Sequence, residues 1–215
     1  MGYAKVDICN IALGHLGVSE TIAAMDERSK NAVLCNRNYD HVLRTVLEDF
    51  WWPFATVWVA GAQLTSDPPP GWQFTYAYPS DCARVRKIVP QGGDPSWYSW
   101  RSLCDDPYTL RPRKIPFSII ADPDRAAMAI ATNEPEAILC YTKIVDDPTL
   151  YTASFADAVA LQLAARLCMP LRVDDQRTLR ITQMYGAALG KAERIALSEA
   201  QAEPDPLPSS IRARL

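Results

Sequence analysis

The sequence predicts a mixed α+β fold, in which a domain resembling a four-helix bundle carries a small antiparallel β-rich lobe. Apolar residues follow a helical period in 1–55 and 146–200, whereas 56–145 is rich in β-branched and aromatic residues. The segment 201–215 has prolines at alternate positions and predicts an extended C-terminal arm. This order predicts one helical domain that is interrupted by an inserted lobe.

The first two helices are predicted from apolar stripes and from residues that begin or end helices. The first spans 4–16 and stops at Gly17, a residue that suits the left-handed position after a helix. The second begins at a cap, Asp26 or Ser29, and ends before Pro53, which has no N–H to donate. Because the link is short, we expect the two helices to pack as an antiparallel hairpin. The buried face of the second helix is predicted to comprise Ala32, Cys35, Tyr39, Val42, Val46 and Phe50.

Four aromatic residues follow one another closely where the second helix ends: Phe50, Trp51, Trp52 and Phe54. Each large aromatic side chain can bury ~150–250 Å². The group is therefore predicted to be a core nucleus at the point where the helical domain passes into the lobe.

The lobe is predicted from six short runs of strand-forming residues with turn signals between them. A small antiparallel sheet or hairpin lobe is expected, with a loop at 65–71. The runs are 56–59, 74–78, 85–89, 117–120, 128–131 and 137–141.

Two more helices are predicted after the lobe. Ser154 and Asp157 resemble a capping box in front of a third helix, which is apolar on most sides and ends at Pro170. Asp174 or Asp175 is expected to cap the fourth helix.

Composition excludes few classes of function. The net charge of −3 gives no whole-chain argument for nucleic acid or acidic membranes, and no run of apolar residues is long enough for a membrane span. The N-terminus lacks the layout of a signal peptide, so we expect synthesis in the cytosol. The six cysteines form no C-x-x-C pair and are interpreted as small buried residues, with a disulfide or a metal as the alternatives.

No catalytic motif is present. His15 and His41 have no neighbours at metal-ligand spacing, and there is no phosphate loop or nucleophile elbow. The adjacent aspartate pairs, at 105–106, 146–147 and 174–175, are interpreted as turn or cap residues, because adjacent carboxylates point apart. We expect a protein that is not an enzyme and has no cofactor or metal.

Positive charge and aromatic rings are concentrated in the middle of the chain. Such a mixture could contact single strands or phosphates, whereas the alternative is a solvated lobe or a surface that meets an acidic protein. The residues are Arg84, Arg86, Lys87, Arg101, Arg111, Arg113 and Lys114, with Trp97, Tyr98 and Trp100 among them.

Several segments together resemble one family. The chain resembles the head-to-tail adaptors of tailed phages, of the tail tubular protein A type, over about 150 positions, mainly in the four helices. The segments are the helix end at 12–17, the second helix with Ala32, Tyr39 and Leu43, its end at 52–55, the Tyr-Pro step at 78–85, the helix at 155–167, and the last helix with Tyr185, Ala192 and Glu193. The region 91–133 matches no part of that pattern.

The resemblance implies a structural virion protein at the head–tail junction, made in the host cytoplasm. Such adaptors form a homo-oligomeric ring, usually dodecameric, between the portal and the nozzle or tail tube, and DNA passes through the channel without specific binding. The implied portal-binding arm comprises Leu207, Ile211, Arg212, Arg214 and Leu215. The implied channel-facing or tail-facing patch comprises Arg101, Arg111, Arg113, Lys114, Trp97 and Trp100, with the lobe directed at the next tail component.

Two other classes of function remain as alternatives. One is a tail-associated hydrolase of peptidoglycan or another glycan, although no well-spaced pair of carboxylates supports it. The other is a nucleic-acid-binding module that uses the basic and aromatic residues of the lobe.

Overall fold

The computed structural model describes residues 2–92, 115–122 and 126–199, with side chains up to Ile195. The predicted mixed α+β fold is confirmed. Its helices are α1 (Lys5–Leu16), α2 (Lys30–Asp49), α3 (Ala153–Leu167) and α4 (Asp175–Glu199). Its strands are β1 (Thr56–Ala60), β2 (Phe74–Ala77), β3 (Cys82–Pro90), β4 (Phe117–Asp122), β5 (Ala127–Thr132) and β6 (Ala137–Lys143).

The ends of α1 and α2 follow from a few residues. Gly17 ends α1 in the left-handed conformation with a φ of 76°, as predicted. Ser29, rather than Asp26, caps α2, because its Oγ accepts a hydrogen bond from the backbone N–H of Ala32. Pro53 then begins a single 3₁₀ turn, Pro53–Ala55, that leads into β1.

The hairpin predicted for α1 and α2 is confirmed. Lys5 lies 3.9 Å from Asp40, and Cys9 lies against Cys35, so the two helices run antiparallel. The central helix is α3, which packs against α1, α2 and α4 and is buried along most of its length. None of the described helices is both long and apolar enough to cross a membrane.

Two predicted details of α3 are wrong. Thr152 caps the helix through its Oγ1, which accepts from the N–H of Phe155, because the helix begins one residue before Ser154. The helix ends at Leu167, ahead of Pro170, and a series of turns leads to α4. Asp174 caps α4, as one of the two predicted alternatives.

The last helix runs back toward the end of the domain where the lobe is attached. At the start of α4, Arg177 Nη1 donates to the carbonyl of Leu16 at 2.7 Å. Farther along, the Tyr185 hydroxyl donates to Asp49 Oδ2 at 2.6 Å, at the end of α2. With 25 residues, α4 is about 37 Å long at 1.5 Å per residue, and its C-terminal part lies at the lobe end.

The described residues of the lobe form two three-stranded antiparallel sheets, whereas the sequence predicted a small antiparallel sheet or hairpin lobe. The strand orders are β1-β6-β3 and β2-β5-β4. Their inner faces share a core of their own, separate from the helical core, with Tyr76 and Ile130 from one sheet and Ile88, Leu139 and Tyr141 from the other. Two layers arise because strands with an apolar inner face bury it against a second sheet.

Candidate functional site

The joint, defined here as residues 46–56 together with the β3 and α3 side chains that contact them, links the helical domain to the lobe. Trp52 is 2% exposed, and its Nε1–H donates to the carbonyl of Val46 at 2.8 Å. Its ring centroid lies 4.8 Å from those of Phe50 and Phe155, each in an edge-to-face arrangement. The predicted core nucleus is therefore confirmed for Trp52.

The ring cluster extends from the joint into the start of α3. Phe54 lies 5.0 Å from Phe155 and 6.1 Å from Tyr151, and the last two rings are 4.7 Å apart. Trp51 has a different role, because its Nε1–H donates to Thr56 Oγ1 at 2.7 Å on the lobe side. Trp52 therefore packs in the helical domain, whereas the neighbouring Trp51 bonds to the first residue of β1 in the lobe.

The C-terminal carbonyls of α2 accept hydrogen bonds from arginines of the lobe. Arg86 Nη2 donates to the carbonyls of Leu47 and Phe50 at 2.8 and 2.7 Å, and Arg84 Nη1 donates to that of Glu48 at 3.1 Å. The last turn of a helix leaves carbonyls without an intrahelical partner and carries partial negative charge. Since α2 has no basic residue in that turn, β3 supplies the compensating charge.

Arg86 is also held from the lobe. Its Nε donates to Thr142 Oγ1 of β6 at 2.7 Å, and its guanidinium lies 5.8 Å from the ring of Trp51. Burial is the main cause that lowers the pKa of Arg86, to about 10. A half-buried guanidinium that is bonded to both parts is suited to holding their relative orientation.

This geometry gives part of the predicted basic patch a role within the chain. Arg84 and Arg86 contact the end of α2, and Lys87 lies 4.9 Å from the ring of Trp58 within the lobe. Arg84 is exposed, and a contribution of these residues to a nucleic-acid surface stays a prediction. The remaining patch residues and the predicted arm residues lie outside the described residues: Arg101, Arg111, Arg113, Lys114, Trp97, Tyr98, Trp100, Leu207, Ile211, Arg212, Arg214 and Leu215.

The described aspartate pairs act as predicted, as cap and turn residues. Asp147 Oδ1 accepts from the Thr149 hydroxyl at 2.7 Å and from the N–H of Thr149 at 3.0 Å, and these two bonds lower the pKa of Asp147. Asp174 Oδ1 accepts from the N–H of Arg177 at 2.8 Å. Among the described residues, no group of three or more His, Cys, Asp or Glu is arranged to hold a metal ion.

The cysteines of the described ranges are all buried and free, in agreement with the interpretation as small core residues. The neighbouring Cys35 and burial raise the pKa of the Cys9 thiol, and burial raises that of Cys140 to about 12. Thiols with raised pKa values are poor nucleophiles.

Two shallow grooves lie on the helical domain. One lies between α1 and α4 and is lined by Gly14, His15, Gly17, Arg177, Arg180, Ile181 and Met184. The other lies where the α1–α2 loop meets α2 and is lined by Met25, Asp26, Glu27, Arg28, Val33, Asn36 and Arg37. Together with the joint, they are the candidate functional features of the described residues.

Comparison with known proteins gives no assignment: no family model matches this chain, and no curated protein matches it.

Proposed function

We propose that this chain is a structural ring adaptor, which joins the portal of a tailed-phage head to the nozzle or tail tube and leaves a channel for DNA. The proposal starts from the resemblance of the helical segments to head-to-tail adaptors. In this proposal the chain acts by binding neighbouring virion proteins through its surfaces and its C-terminal arm.

The observation that supports it most is the course of α4. The helix continues to Glu199, well past the bond between Tyr185 and Asp49, and 16 residues of proline-rich chain follow it. Proline restricts an extended chain before binding, so such an arm loses little conformational entropy when it docks. A long helix that delivers an extended arm suits a protein that reaches a neighbouring component.

The joint supports the proposal in a second way. An adaptor that transmits force between head and tail needs its parts to keep their orientation. The bonds from Arg84 and Arg86 to the end of α2, and the packing of Trp52 on Phe155, tie the lobe to the helical domain at several points.

The direction of α4 changes one expectation. The resemblance implies that the arm and the lobe serve opposite neighbours, yet α4 ends on the side where the lobe is attached. Sixteen extended residues span at most about 55 Å, which exceeds the length of α4. The arm therefore has the reach either to pass the lobe or to return along the bundle toward a portal on the far side.

The test measures the binding of the chain to purified portal rings. Three proteins are compared: the wild type, a truncation that lacks 204–215, and a full-length control in which residues 204–215 are in shuffled order. We expect binding by the wild type alone, with the same thermal melt by circular dichroism for all three. Undiminished binding by the truncated chain would sink the assignment of the arm.

A further inference from the structure

The connection between β1 and β2 presents prolines, a tryptophan and a carboxylate at the surface of the lobe. In the proline loop, defined here as residues 66–73, Asp67, Pro68 and Pro70 are exposed and Trp72 is half-buried. Within the described part of the chain, the indole N–H of Trp72 has no hydrogen-bond partner and Asp67 makes no ion pair. The loop therefore carries apolar rings, one donor and one charge that the described residues do not use.

Proline chemistry determines the backbone of this loop. Asp67, Pro68 and Pro69 each precede a proline and are confined to extended conformations, and the fixed φ of proline makes the proline run a short polyproline II segment. A turn follows, in which the N–H of Trp72 donates to the carbonyl of Pro69 at 3.1 Å and Gly71 has a φ of 92°. Proline at the second position and glycine with positive φ at the third are the pattern of a type II turn.

Hydrogen bonds to the strands anchor the proline loop on both sides. At its start, Thr75 Oγ1 donates to the carbonyl of Ser66 at 3.1 Å. At its end, the N–H of Gln73 donates to Asn133 Oδ1 at 3.0 Å, and Asn133 Nδ2 donates to the carbonyl of Gly71 at 3.5 Å. A segment that is ordered before binding loses little conformational entropy when it docks.

The proline loop lies at the end of the lobe away from the joint. Strand β6 runs from Ala137 toward the joint, where Thr142 accepts a hydrogen bond from Arg86. The five residues between these two ends of the strand span about 17 Å. Asn133, which holds the loop, comes before β6 in the sequence and so lies near its far end. A neighbouring protein can therefore reach the loop without contacting the helical domain.

We propose that the proline loop docks into an aromatic-lined groove of the protein that follows the lobe, the nozzle or tail-tube protein. Aromatic grooves are the usual binding surface for a preformed polyproline II segment. Trp72 adds a ring of the type that often dominates binding energy, and its N–H calls for an acceptor in the groove. This inference rests on the proposed ring adaptor and names the contact with the next tail component.

The charge of the loop also specifies the partner. Asp67 is the only charged residue in 61–73, and it is exposed directly before the prolines. A cationic side chain at the rim of the groove would pair with this carboxylate and set the direction in which the loop enters.

The test measures the binding of purified nozzle or tail-tube protein to portal rings that carry the wild type or a variant. Trp72→Ala is expected to weaken binding by about thirtyfold or more, because an interface tryptophan is commonly a hot spot. Asp67→Lys is expected to weaken it by about tenfold, since like charges then face each other. Met128→Ala is the matched control, because Met128 is a 55% exposed apolar residue at the opposite end of β5 from Asn133. It should bind like the wild type.

A triple variant examines the prolines themselves. Replacement of Pro68, Pro69 and Pro70 by alanine removes the rings and the restriction of the backbone together. We expect it to weaken binding of the tail protein by about tenfold or more and to leave binding to portal rings unchanged.

The outcomes separate this contact from the proposed function. Tail-protein binding that neither Asp67→Lys nor the triple variant weakens would overturn the docking of the loop, and unchanged binding to portal rings would leave the ring adaptor standing. A wild-type chain that binds neither the portal rings nor the tail protein would overturn both. Circular-dichroism melts identify unfolding in Trp72→Ala, and Asp67→Lys, at an exposed side chain, keeps the test decisive in that case.

Discussion

At the residue scale, single side chains at the joint serve two parts of the molecule. Trp52 fills the helical core with its ring and closes the end of α2 through its N–H. Arg86 also contacts both parts, from the lobe side. Its Nε donates to Thr142 Oγ1 within the lobe, and its Nη2 donates to the carbonyls of Leu47 and Phe50 at the end of α2. Loss of either side chain leaves polar backbone groups without their partner as well as a change in packing.

Trp52→Ala is expected to lower the free energy of unfolding by about 3–5 kcal/mol, because a fully buried indole leaves a large cavity. Urea unfolding followed by circular dichroism measures the change. Leu150→Ala, at a 60% exposed residue near the same ring cluster, is the control and should change stability by less than about 0.5 kcal/mol. A loss below about 1 kcal/mol for Trp52→Ala would contradict its assignment to the core.

Alkaline pH should destabilise the chain through its tyrosines. Burial is the largest cause that raises the pKa of five of them, which are Tyr39, Tyr78, Tyr141, Tyr151 and Tyr185. The pKa of Tyr141 rises to about 12. A raised pKa in the folded state means that the unfolded state loses its proton first, near pH 10, so stability falls as pH rises above that value. Arg86 and Lys87, whose pKa values are lowered mainly by burial, act in the opposite direction, as two groups against five tyrosines.

Tyr185→Phe tests this linkage. Each such tyrosine contributes a slope of about 1.4 kcal/mol per pH unit between its unfolded and folded pKa values. The variant should therefore show a smaller loss of stability between pH 10 and pH 12 than the wild type, in urea unfolding at several pH values. Equal slopes for the two proteins would show that Tyr185 does not take part.

At the element scale, the joint couples α2 to β3. The end of α2 has no basic residue in its last turn, and strand β3 supplies Arg84 and Arg86 from across the interface. Without the other element, the carbonyls at the end of α2 and the arginine donors of β3 would lose these hydrogen bonds. We therefore expect the helical domain and the lobe to unfold together.

Arg86→Met keeps the length of the side chain but removes its donors. We expect a loss of about 2–4 kcal/mol in the free energy of unfolding, because three hydrogen bonds from a charged donor are lost at a half-buried site. Arg86→Lys should recover less than half of this, since one ammonium group cannot reproduce the planar fork. When the unfolding of the lobe and that of the helices are monitored separately, the wild type should show one shared transition and Arg86→Met should show two. A single unshifted transition in that variant would contradict the coupling.

The elements that depend on local pattern were predictable, and those that depend on distant partners were not. The helical period predicted the buried face of α2 from Ala32 to Val46, and Gly17 predicted the end of α1. Phe50, also predicted on that face, lies after the helix in extended chain and is half-buried. The division of six strands into two sheets depends on β6 lying between β1 and β3, a choice that local sequence does not encode. The role of Arg84 and Arg86 was missed for the same reason, although their alternate spacing and the absence of a basic residue at the end of α2 were visible signals.

At the scale of the whole molecule, the described residues form a helical domain around α3 with a two-sheet lobe at one end. The joint links the two cores, and α4 runs toward the end of the helical domain where the lobe is attached. These features together favour a protein that works by contact with neighbours on several sides, as the proposed adaptor would.

The most direct test of the ring adaptor is electron microscopy of the full chain mixed with purified portal rings. The proposal predicts a second ring stacked on one face of the portal, with a continuous central channel. Portal rings that remain unchanged at a saturating concentration of the chain would contradict it.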